Sequence, residues 1–273
     1  VRLEADLLPV EGALPVQAQK VHLINIKGAI GPATASYISR AIDVAADRGG
    51  ECLVIQLDTP GGLLDPTMTI VSKMLASRTP VVVYVAPSGA SAGSAGCFIV
   101  IAADVAAMAP TTHIGAAHPV KIGGAGGEEK TDDTMKEKMG NFAASYIETI
   151  AMKRKRNVQW AISSVIESKS IPSETALLTN VIDIIAADMP DLLKQLDGRE
   201  VQGRKLATAG ATVEEIPATF AEKALHTVLR PEVMFILMLI AMYGIIGELS
   251  NPGAILPGVA GAIAVLLLLY MSS

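Results

Sequence analysis

An almost continuous apolar run ends in a proline and a pair of glycines in the segment Cys52-Leu53-Val54-Ile55-Gln56-Leu57-Asp58-Thr59-Pro60-Gly61-Gly62. Apolar residues without polar alternation predict a short strand that is buried on both faces. Strands of that kind are typical of parallel sheets whose two faces are covered by helices. The stretch therefore predicts an α/β fold.

The segments on either side of this strand alternate between strand and helix patterns. Residues 21–26 and 81–85 are β-branched runs bounded by glycine or proline, which predicts two further strands. Residues 33–47 and 63–77 carry apolar side chains at helical spacing. Strands and helices that alternate with short connections form right-handed crossovers, so we expect a mostly parallel sheet covered by helices.

Charge and cysteine content exclude several classes of function. The net charge of −5 gives no basis for nucleic-acid binding. Cys52 and Cys97 lie in apolar runs and have no metal-ligand spacing, so we interpret both as buried, unreactive thiols. Neither a phosphate-binding loop nor a dinucleotide-binding glycine motif is present. We therefore expect no metal and no cofactor.

The end of the chain differs in composition from the rest. Most of the positive mean hydropathy of +0.44 comes from two apolar segments, 233–249 and 254–271, which flank the turn sequence Ser250-Asn251-Pro252-Gly253. About 20 apolar residues are needed to cross a bilayer as a helix. The second segment meets this requirement, whereas the first, which carries Glu248, is marginal. We predict a transmembrane hairpin, with buried core helices as the alternative.

These patterns divide the chain into four parts. Residues 1–20 are predicted to be a loose leader that lacks the features of a signal peptide. Residues 21–200 form the α/β domain, 201–231 a linker, and 232–273 the transmembrane hairpin. Within the domain, the basic run at 153–156 is predicted to be a solvated helix end.

Two glycine turns mark a candidate site. The turn Pro60-Gly61-Gly62 and the stretch that leads to Ser94-Ala95-Gly96 both follow strands, and ligands of open α/β sheets bind at those strand ends. A serine at the first turn of a helix, facing free backbone amides, has the geometry that acyl transfer requires. The alternative is that small residues only permit close packing, since the pattern is not a G-x-S-x-G elbow.

Several motifs keep the order and spacing seen in one known family. Asp58-Thr59-Pro60-Gly61-Gly62, Gly89-Ala90-Ser91-Ala92-Gly93-Ser94-Ala95-Gly96, and the segment from Met108-Ala109-Pro110 to Ile114-Gly115-Ala116 resemble the NfeD family. These are membrane-bound serine proteases related to ClpP and to signal peptide peptidase A, also called stomatin operon partner proteins. The resemblance runs from about residue 21 to the end, and implies a ClpP/crotonase-like fold.

The resemblance also implies roles for individual residues. It makes Ser94 the nucleophile, and assigns the oxyanion hole to the amides of Gly61 or Gly62 together with that of Ala95. Two other serines in the same stretch are less favoured as the nucleophile: Ser88 and Ser91.

The general base is implied to be Lys138, just ahead of a long helix, with Lys136 and Lys130 as alternatives. A lysine accepts a proton only as the free amine, which burial among apolar groups favours. Without the resemblance, Lys138 would be interpreted as a solvated helix residue. His118 is a second candidate base, because ClpP carries its catalytic histidine at similar spacing, and Glu167 is then a candidate orienting acid.

By resemblance, the chain is expected to be an ATP-independent endopeptidase with a Ser–Lys dyad. It would cleave hydrophobic segments, notably of stomatin-like membrane proteins, and form dimers or larger homo-oligomers. Its protease domain would lie outside the cytoplasm at the cell inner membrane, although Lys223 and Arg230 weakly favour the opposite orientation. Two other functions stay open: an acyl-CoA hydratase or isomerase of crotonase fold, and a non-catalytic scaffold that binds a stomatin-like partner.

Overall fold

The computed structural model describes residues 19–119, 133–228, 231–250 and 255–272. Within these residues a parallel sheet has the strand order β11-β1-β2-β3-β5-β8. Two smaller sheets accompany it, β4-β6-β7 and β9-β10. The strands are β1 (Lys20–Lys27), β2 (Cys52–Asp58), β3 (Val81–Val85), β4 (Ser91–Gly93), β5 (Val105–Met108), β6 (His113–Gly115), β7 (Ser170–Pro172), β8 (Ile184–Ile185), β9 (Glu200–Val201), β10 (Arg204–Lys205) and β11 (Thr212–Glu215).

Helices cover both faces of the parallel sheet. The helices are α1 (Pro32–Asp47), α2 (Leu64–Leu75), α3 (Ala95–Ala102), α4 (Asp133–Lys153), α5 (Val158–Ile166), α6 (Ser173–Leu178), α7 (Met189–Leu196), α8 (Phe220–Val228), α9 (Pro231–Ser250) and α10 (Ile255–Ser272). Helices α1 to α5 pack on one face with Leu53 and Ile55, whereas α7 packs on the other with Val54. Burying one such side chain completely contributes about 1.5–3 kcal/mol. The predicted fold class is confirmed.

Residues 201–228 of the segment 201–231, which was predicted as a linker, are part of the folded domain. Strand β11 pairs in parallel with β1, from Lys20 opposite Thr212 to Leu23 opposite Glu215. It is an edge strand with mostly exposed side chains, so its sequence lacks the apolar pattern of the central strands. The linker prediction was wrong because a polar edge strand and a flexible connection have similar compositions.

Helix α8 is fastened to α1 by a set of polar contacts. The Arg40 guanidinium donates to both Glu222 carboxylate oxygens at 2.8 Å, and to the Pro217 carbonyl at 2.8 Å. Glu222 also accepts from the Thr219 amide at 2.7 Å, and its own amide donates to the Thr219 hydroxyl, which forms a capping box. The ion pair holds the pKa of Glu222 at about 2. Helix α8 is therefore held against α1 by charged and capping contacts.

The apolar C-terminal part forms two helices that pack against each other. A Cβ added to Gly244 would lie 2.5 Å from the Pro257 carbonyl oxygen and 2.7 Å from Gly261 Cα, so small residues allow the close approach. Residues Glu232–Ser250 of α9 are long and apolar enough to cross a membrane, with a mean hydropathy of 2.1 and only 11% of that apolar stretch buried. The apolar helix Ile255–Leu269 is shorter. The turn predicted at 250–253 lies mostly outside the described residues.

The basic run at 153–156 is not a solvated helix end throughout. Arg156 is only 6% exposed and donates to the carbonyls of Ile101 and Ala103 at the end of α3, and to the Asp183 carboxylate. Arg154 donates to the Ala102 carbonyl at 2.7 Å. The two arginines thus satisfy carbonyls that the end of α3 leaves without helical partners. This prediction was wrong because the guanidinium groups of Arg154 and Arg156 donate to the backbone carbonyls at the end of α3 and are drawn out of solvent.

Candidate active site

Ser94 occupies a sharp turn between β4 and α3. It is the N-cap residue of α3, with φ +46° and ψ −109°, and its side chain makes no capping hydrogen bond. A non-glycine residue at positive φ costs about 1–3 kcal/mol and persists only where the surroundings enforce it. Here the Ser94 amide donates to the Gly115 carbonyl of β6 at 3.0 Å, which holds the turn. The hydroxyl is left available for chemistry.

The glycine turn after β2 lies directly against Ser94. A Cβ added to Gly61 would stand 2.6 Å from Ser94 Cβ and 3.2 Å from Ser94 Oγ, and the Gly61 φ is +135°. On the other side, a Cβ on Gly93 would lie 2.7 Å from the Pro60 carbonyl oxygen. Only glycines permit this approach of the two turns. The sequence prediction that the two turns converge matches this geometry.

Asp58 and Thr59 hold the glycine turn in place. The buried Thr59 hydroxyl accepts from the Gly61 amide and donates to the Gly61 carbonyl, each at 3.0 Å. The Asp58 carboxylate accepts from the Ser91 amide at 3.2 Å, which ties the turn to β4. These two residues therefore position the backbone that faces Ser94. The sequence motif contained them, but their role follows only from the contacts.

The hydrogen bonds distinguish the candidate oxyanion donors that already have an acceptor from those that are free. The Gly61 N–H is already donated to Thr59. Within the described parts of the chain, neither the Gly62 N–H nor the Ala95 N–H donates to a protein acceptor. The Ala95 amide belongs to the first turn of α3, where unpaired N–H groups and the helix dipole favour negative charge. Gly62 and Ala95 are thus the donors that remain free beside Ser94.

Ser94 opens onto a mostly apolar cavity of about 460 Å³. A space of this size accommodates one or two apolar side chains of a peptide, and is within the range of ligand-binding clefts. Its lining residues are Ala29, Pro60, Gly61, Gly62, Leu63, Leu64, Thr67, Ser94, Ala95, Phe98, Ala117, Pro119 and Met139.

Neither candidate base lines this cavity. Lys138 precedes the lining residue Met139 on α4, but its side chain is exposed and not buried among apolar groups. Helical spacing places Lys138 away from the face of α4 that buries Gly140 and Ala143, whereas Lys136 lies one turn before Gly140 on that face. Lys130 lies outside the described residues. Among the described residues, no lysine lines the cavity at Ser94.

His118 lies between two residues that line the cavity. Its Nδ1 donates to the Val165 carbonyl at 2.9 Å, and its Nε2 has no hydrogen-bond partner among the described residues. Its Cε1 lies 4.0 Å from the position of a Cβ on Gly140. Glu167, the expected orienting acid, has no contact with His118 among the described residues, because the backbone carbonyl occupies that position.

The two alternative serines have other surroundings. Ser91 donates its hydroxyl to the Thr59 carbonyl at 3.1 Å, so it supports the glycine turn. Ser88 is exposed in the loop before β4. Both cysteines are fully buried as predicted, and burial raises the pKa of each thiol to about 12. Among these groups only Ser94 combines a free hydroxyl with neighbouring amide donors.

Sequence profiles and relatives identify the family of this chain. A profile described as NfeD1b, N-terminal domain, matches residues 20–191, and one described as NfeD integral membrane domain matches 232–273. The membrane-bound protease PH1510 of Pyrococcus horikoshii is 33% identical over 264 residues, which cover 93% of this chain and 59% of the relative. Membrane protein NfeD1b of Bacillus subtilis is 29% identical over 270 residues, covering 97% and 59%. The chain thus spans 59% of the length of these relatives.

Solved structures of 1510-N, a membrane-bound stomatin-specific protease, resemble this chain. A lysine-to-alanine mutant in complex with a substrate peptide superposes with a TM-score of 0.70 at 32% identity, covering 78% of this chain and 99% of that chain. A serine-to-alanine mutant superposes with a TM-score of 0.67 at 31% identity, covering 75% and 100%. The neighbours share the mostly parallel sheet covered by helices.

Proposed function

Because this chain belongs to the NfeD family, we propose that it is a membrane-anchored serine endopeptidase with Ser94 as its nucleophile. One observation carries the proposal: a strained serine with a free hydroxyl lies against a glycine turn, with two unpaired amides beside it. Strained backbone at a cavity is a feature of catalytic sites.

The amides define the first chemical step. Ser94 Oγ attacks the carbonyl carbon of the scissile peptide bond as its proton passes to a base. The carbonyl oxygen becomes an oxyanion that accepts from the N–H groups of Gly62 and Ala95, while Gly61 keeps its hydrogen bond to Thr59. Removing one such donor from a protease costs about 100-fold to 1,000-fold in rate. Gly61 then has a steric role, because only its missing side chain makes room for Ser94.

The second step releases the two products. The protonated base donates to the departing amine, so the C–N bond breaks and an acyl ester remains on Ser94. A water molecule, deprotonated by the same base, attacks the ester carbonyl and restores the free hydroxyl. Each proton taken from a nucleophile is returned to a leaving group, so the cycle needs neither ATP nor a cofactor.

We propose Lys138 as the base of a Ser–Lys dyad. The motif resemblance supports it, and so does the lysine-to-alanine mutant through which a related protease was captured with its substrate peptide. Lys138 must then approach Ser94 from its exposed position, which requires a change in the first turns of α4 when substrate enters. Catalytic contacts are often incomplete before substrate binds. An apolar substrate would also remove water from the amine and favour its free form.

The cavity and the relatives support an apolar substrate. Leu63, Leu64, Phe98 and Met139 would surround a side chain next to the scissile bond. A related protease is specific for stomatin, and we extend this to a stomatin-like membrane protein as the substrate or partner of this chain. We further propose a homo-oligomer in the cell inner membrane, with the protease domain outside the cytoplasm.

Cleavage of a hydrophobic peptide by the detergent-solubilised chain tests the assignment of the base. Lys138→Ala is expected to abolish cleavage, whereas Lys136→Ala and His118→Ala retain most of it. Full activity of Lys138→Ala together with loss in His118→Ala would replace the dyad by a Ser–His pair. If Lys136→Ala alone is inactive, the base is Lys136, which lies one helical turn before Gly140. Circular dichroism of each variant separates these outcomes from misfolding.

A further inference from the structure

A second cavity, which shares no lining residue with the one beside Ser94, lies against α8, the last described helix before the apolar C-terminal helices. It measures about 440 Å³ and lies between the end of β1, the first turns of α1, and α8. Polar groups line much of it, including Lys27, Thr34, Lys223 and Thr227. The proteolytic mechanism uses none of these residues, so the cavity calls for a separate explanation.

Two lysine ammonium groups in this cavity have no partner among the residues that the structure describes. Lys27 at the end of β1 and Lys223 on α8 are both exposed, and neither makes a hydrogen bond through its ammonium group or an ion pair within the described chain. Two other surface lysines of the domain are paired, Lys20 with Glu214 at 3.2 Å and Lys73 with Asp43 at 2.6 Å. What distinguishes Lys27 and Lys223 is that both line the same cavity. Two unpaired positive charges that share one cavity favour an anionic ligand.

The carboxylate that lines the same cavity does not cancel these charges. Both Glu222 oxygens accept from Arg40, and the Thr219 amide donates to one of them as well. Glu215, nearby on β11, accepts from the Asn25 amide. The Tyr37 hydroxyl donates to the Ile216 carbonyl, and therefore does not compete for an anion. Among the residues that line the cavity, the uncompensated charge is therefore that of Lys27 and Lys223, since Glu215 keeps its negative charge but does not line it.

The position of the cavity indicates where the anion comes from. Thr227 precedes Pro231, the first residue of α9, by four positions, so extended chain could separate them by at most about 14 Å. The apolar span of α9 begins at Glu232, which places this part of α8 close to the headgroup layer. Phe220 lies one helical turn before Lys223 on α8 and is 88% exposed. Aromatic and lysine side chains together are typical of membrane interfaces.

We propose that α8 rests on the bilayer surface and that the Lys27–Lys223 cavity binds the phosphate of an anionic phospholipid. The two ammonium groups would contact the headgroup phosphate, and Phe220 would enter the interface beside it. Such a contact would fix the height of the protease domain above the membrane. The proposal stands independently of the proteolytic assignment, because it concerns other residues and another readout.

Native mass spectrometry of the full chain, released from detergent with equal amounts of phosphatidylglycerol and phosphatidylcholine, tests the proposal. The unmodified chain is expected to retain phosphatidylglycerol selectively. The double variant Lys27→Gln/Lys223→Gln should bind it about 30-fold more weakly, because each lysine near a membrane surface contributes roughly a factor of five. The matched control is Lys194→Gln/Lys205→Gln, which removes two exposed lysines elsewhere and should leave retention unchanged.

Three results would overturn the proposal. The first is equal retention of phosphatidylglycerol by the cavity variant and the unmodified chain. The second is an equal loss in the control variant, which would indicate a general charge effect. The third is displacement of the lipid by millimolar inorganic phosphate, which would indicate a site for free phosphate. Should the double variant fold poorly, each single variant is expected to show the roughly fivefold loss.

Discussion

Replacing Arg156 by methionine tests how the helix that carries Ser94 is held in the domain. Arg156 donates to three backbone carbonyls, those of Ile101, Ala103 and Val181, at 3.1–3.2 Å, and to the Asp183 carboxylate at 2.8 Å. Methionine keeps much of the length and the apolar contacts of the side chain, but it leaves all four acceptors without this donor.

The magnitude follows from burial. Breaking a buried ion pair from one side costs about 3–5 kcal/mol. The Asp183 side chain is 28% exposed and also accepts from the Ala106 amide, so water and that amide offset part of the loss. We therefore expect the free energy of unfolding to fall by about 3 kcal/mol, which corresponds to a melting temperature lower by roughly 6–12 °C for a domain of this size.

Urea unfolding followed by tryptophan fluorescence provides the assay. Trp160 is the only tryptophan of the chain and is 6% exposed, so its emission reports the loss of packing in the protease domain. Lys153→Met removes the same charge from an exposed position and should change the stability by less than about 0.5 kcal/mol. A variant Arg156→Met that unfolds within that margin of the unmodified chain would refute the role assigned to this arginine.

Three further predictions concern the site and pH. Gly61→Ala places a methyl group 2.6 Å from Ser94 Cβ, so we expect kcat/KM for a hydrophobic peptide to fall about 100-fold, whereas Gly210→Ala, at a positive φ in open space, keeps its activity. Burial without a hydrogen-bond partner lowers the pKa of His22 below its ordinary value of 6.5. The folded state therefore holds His22 neutral, and the free energy of unfolding falls as the pH drops below 6.5, because the unfolded state then binds a proton more readily. Urea titrations at pH 7.5 and 5 should show this loss, and His22→Leu should reduce it. The Glu222 pKa of about 2, against 4.5 for the free group, means that the stability from Arg40 is lost as the pH falls from 4.5 towards 2. Glu222→Gln should remove that part of the acid sensitivity in unfolding curves.

The parts of the fold that the sequence predicted are those with a strong local pattern. β2 and β3 are continuous apolar runs, and their carboxyl ends meet at one edge of a parallel sheet. The convergence of Gly61 and Ser94 follows from this rule, because both turns come after such strands. The apolar C-terminal helices were predictable for the same reason, since their composition differs from that of the domain.

The remaining features depend on contacts between distant segments. β4 has only three small residues, and it is a strand because it pairs with β6 across the chain. The polar β11 forms an edge strand only because β1 leaves its edge unpaired. The burial of Arg156 requires carbonyls from α3, about fifty residues earlier. No local period encodes these partners, and the position of a base such as Lys138 also depends on where α4 begins.

Fluorophosphonate labelling of the full chain, with the modified peptide identified by mass spectrometry, tests the central claim most directly. Such reagents form a stable adduct only with a serine that is activated as a nucleophile. We expect one adduct, on Ser94, which is lost in Ser94→Ala and kept in Ser91→Ala. Absence of an adduct from folded, unmodified chain, or an adduct on another serine that persists in Ser94→Ala, would contradict it.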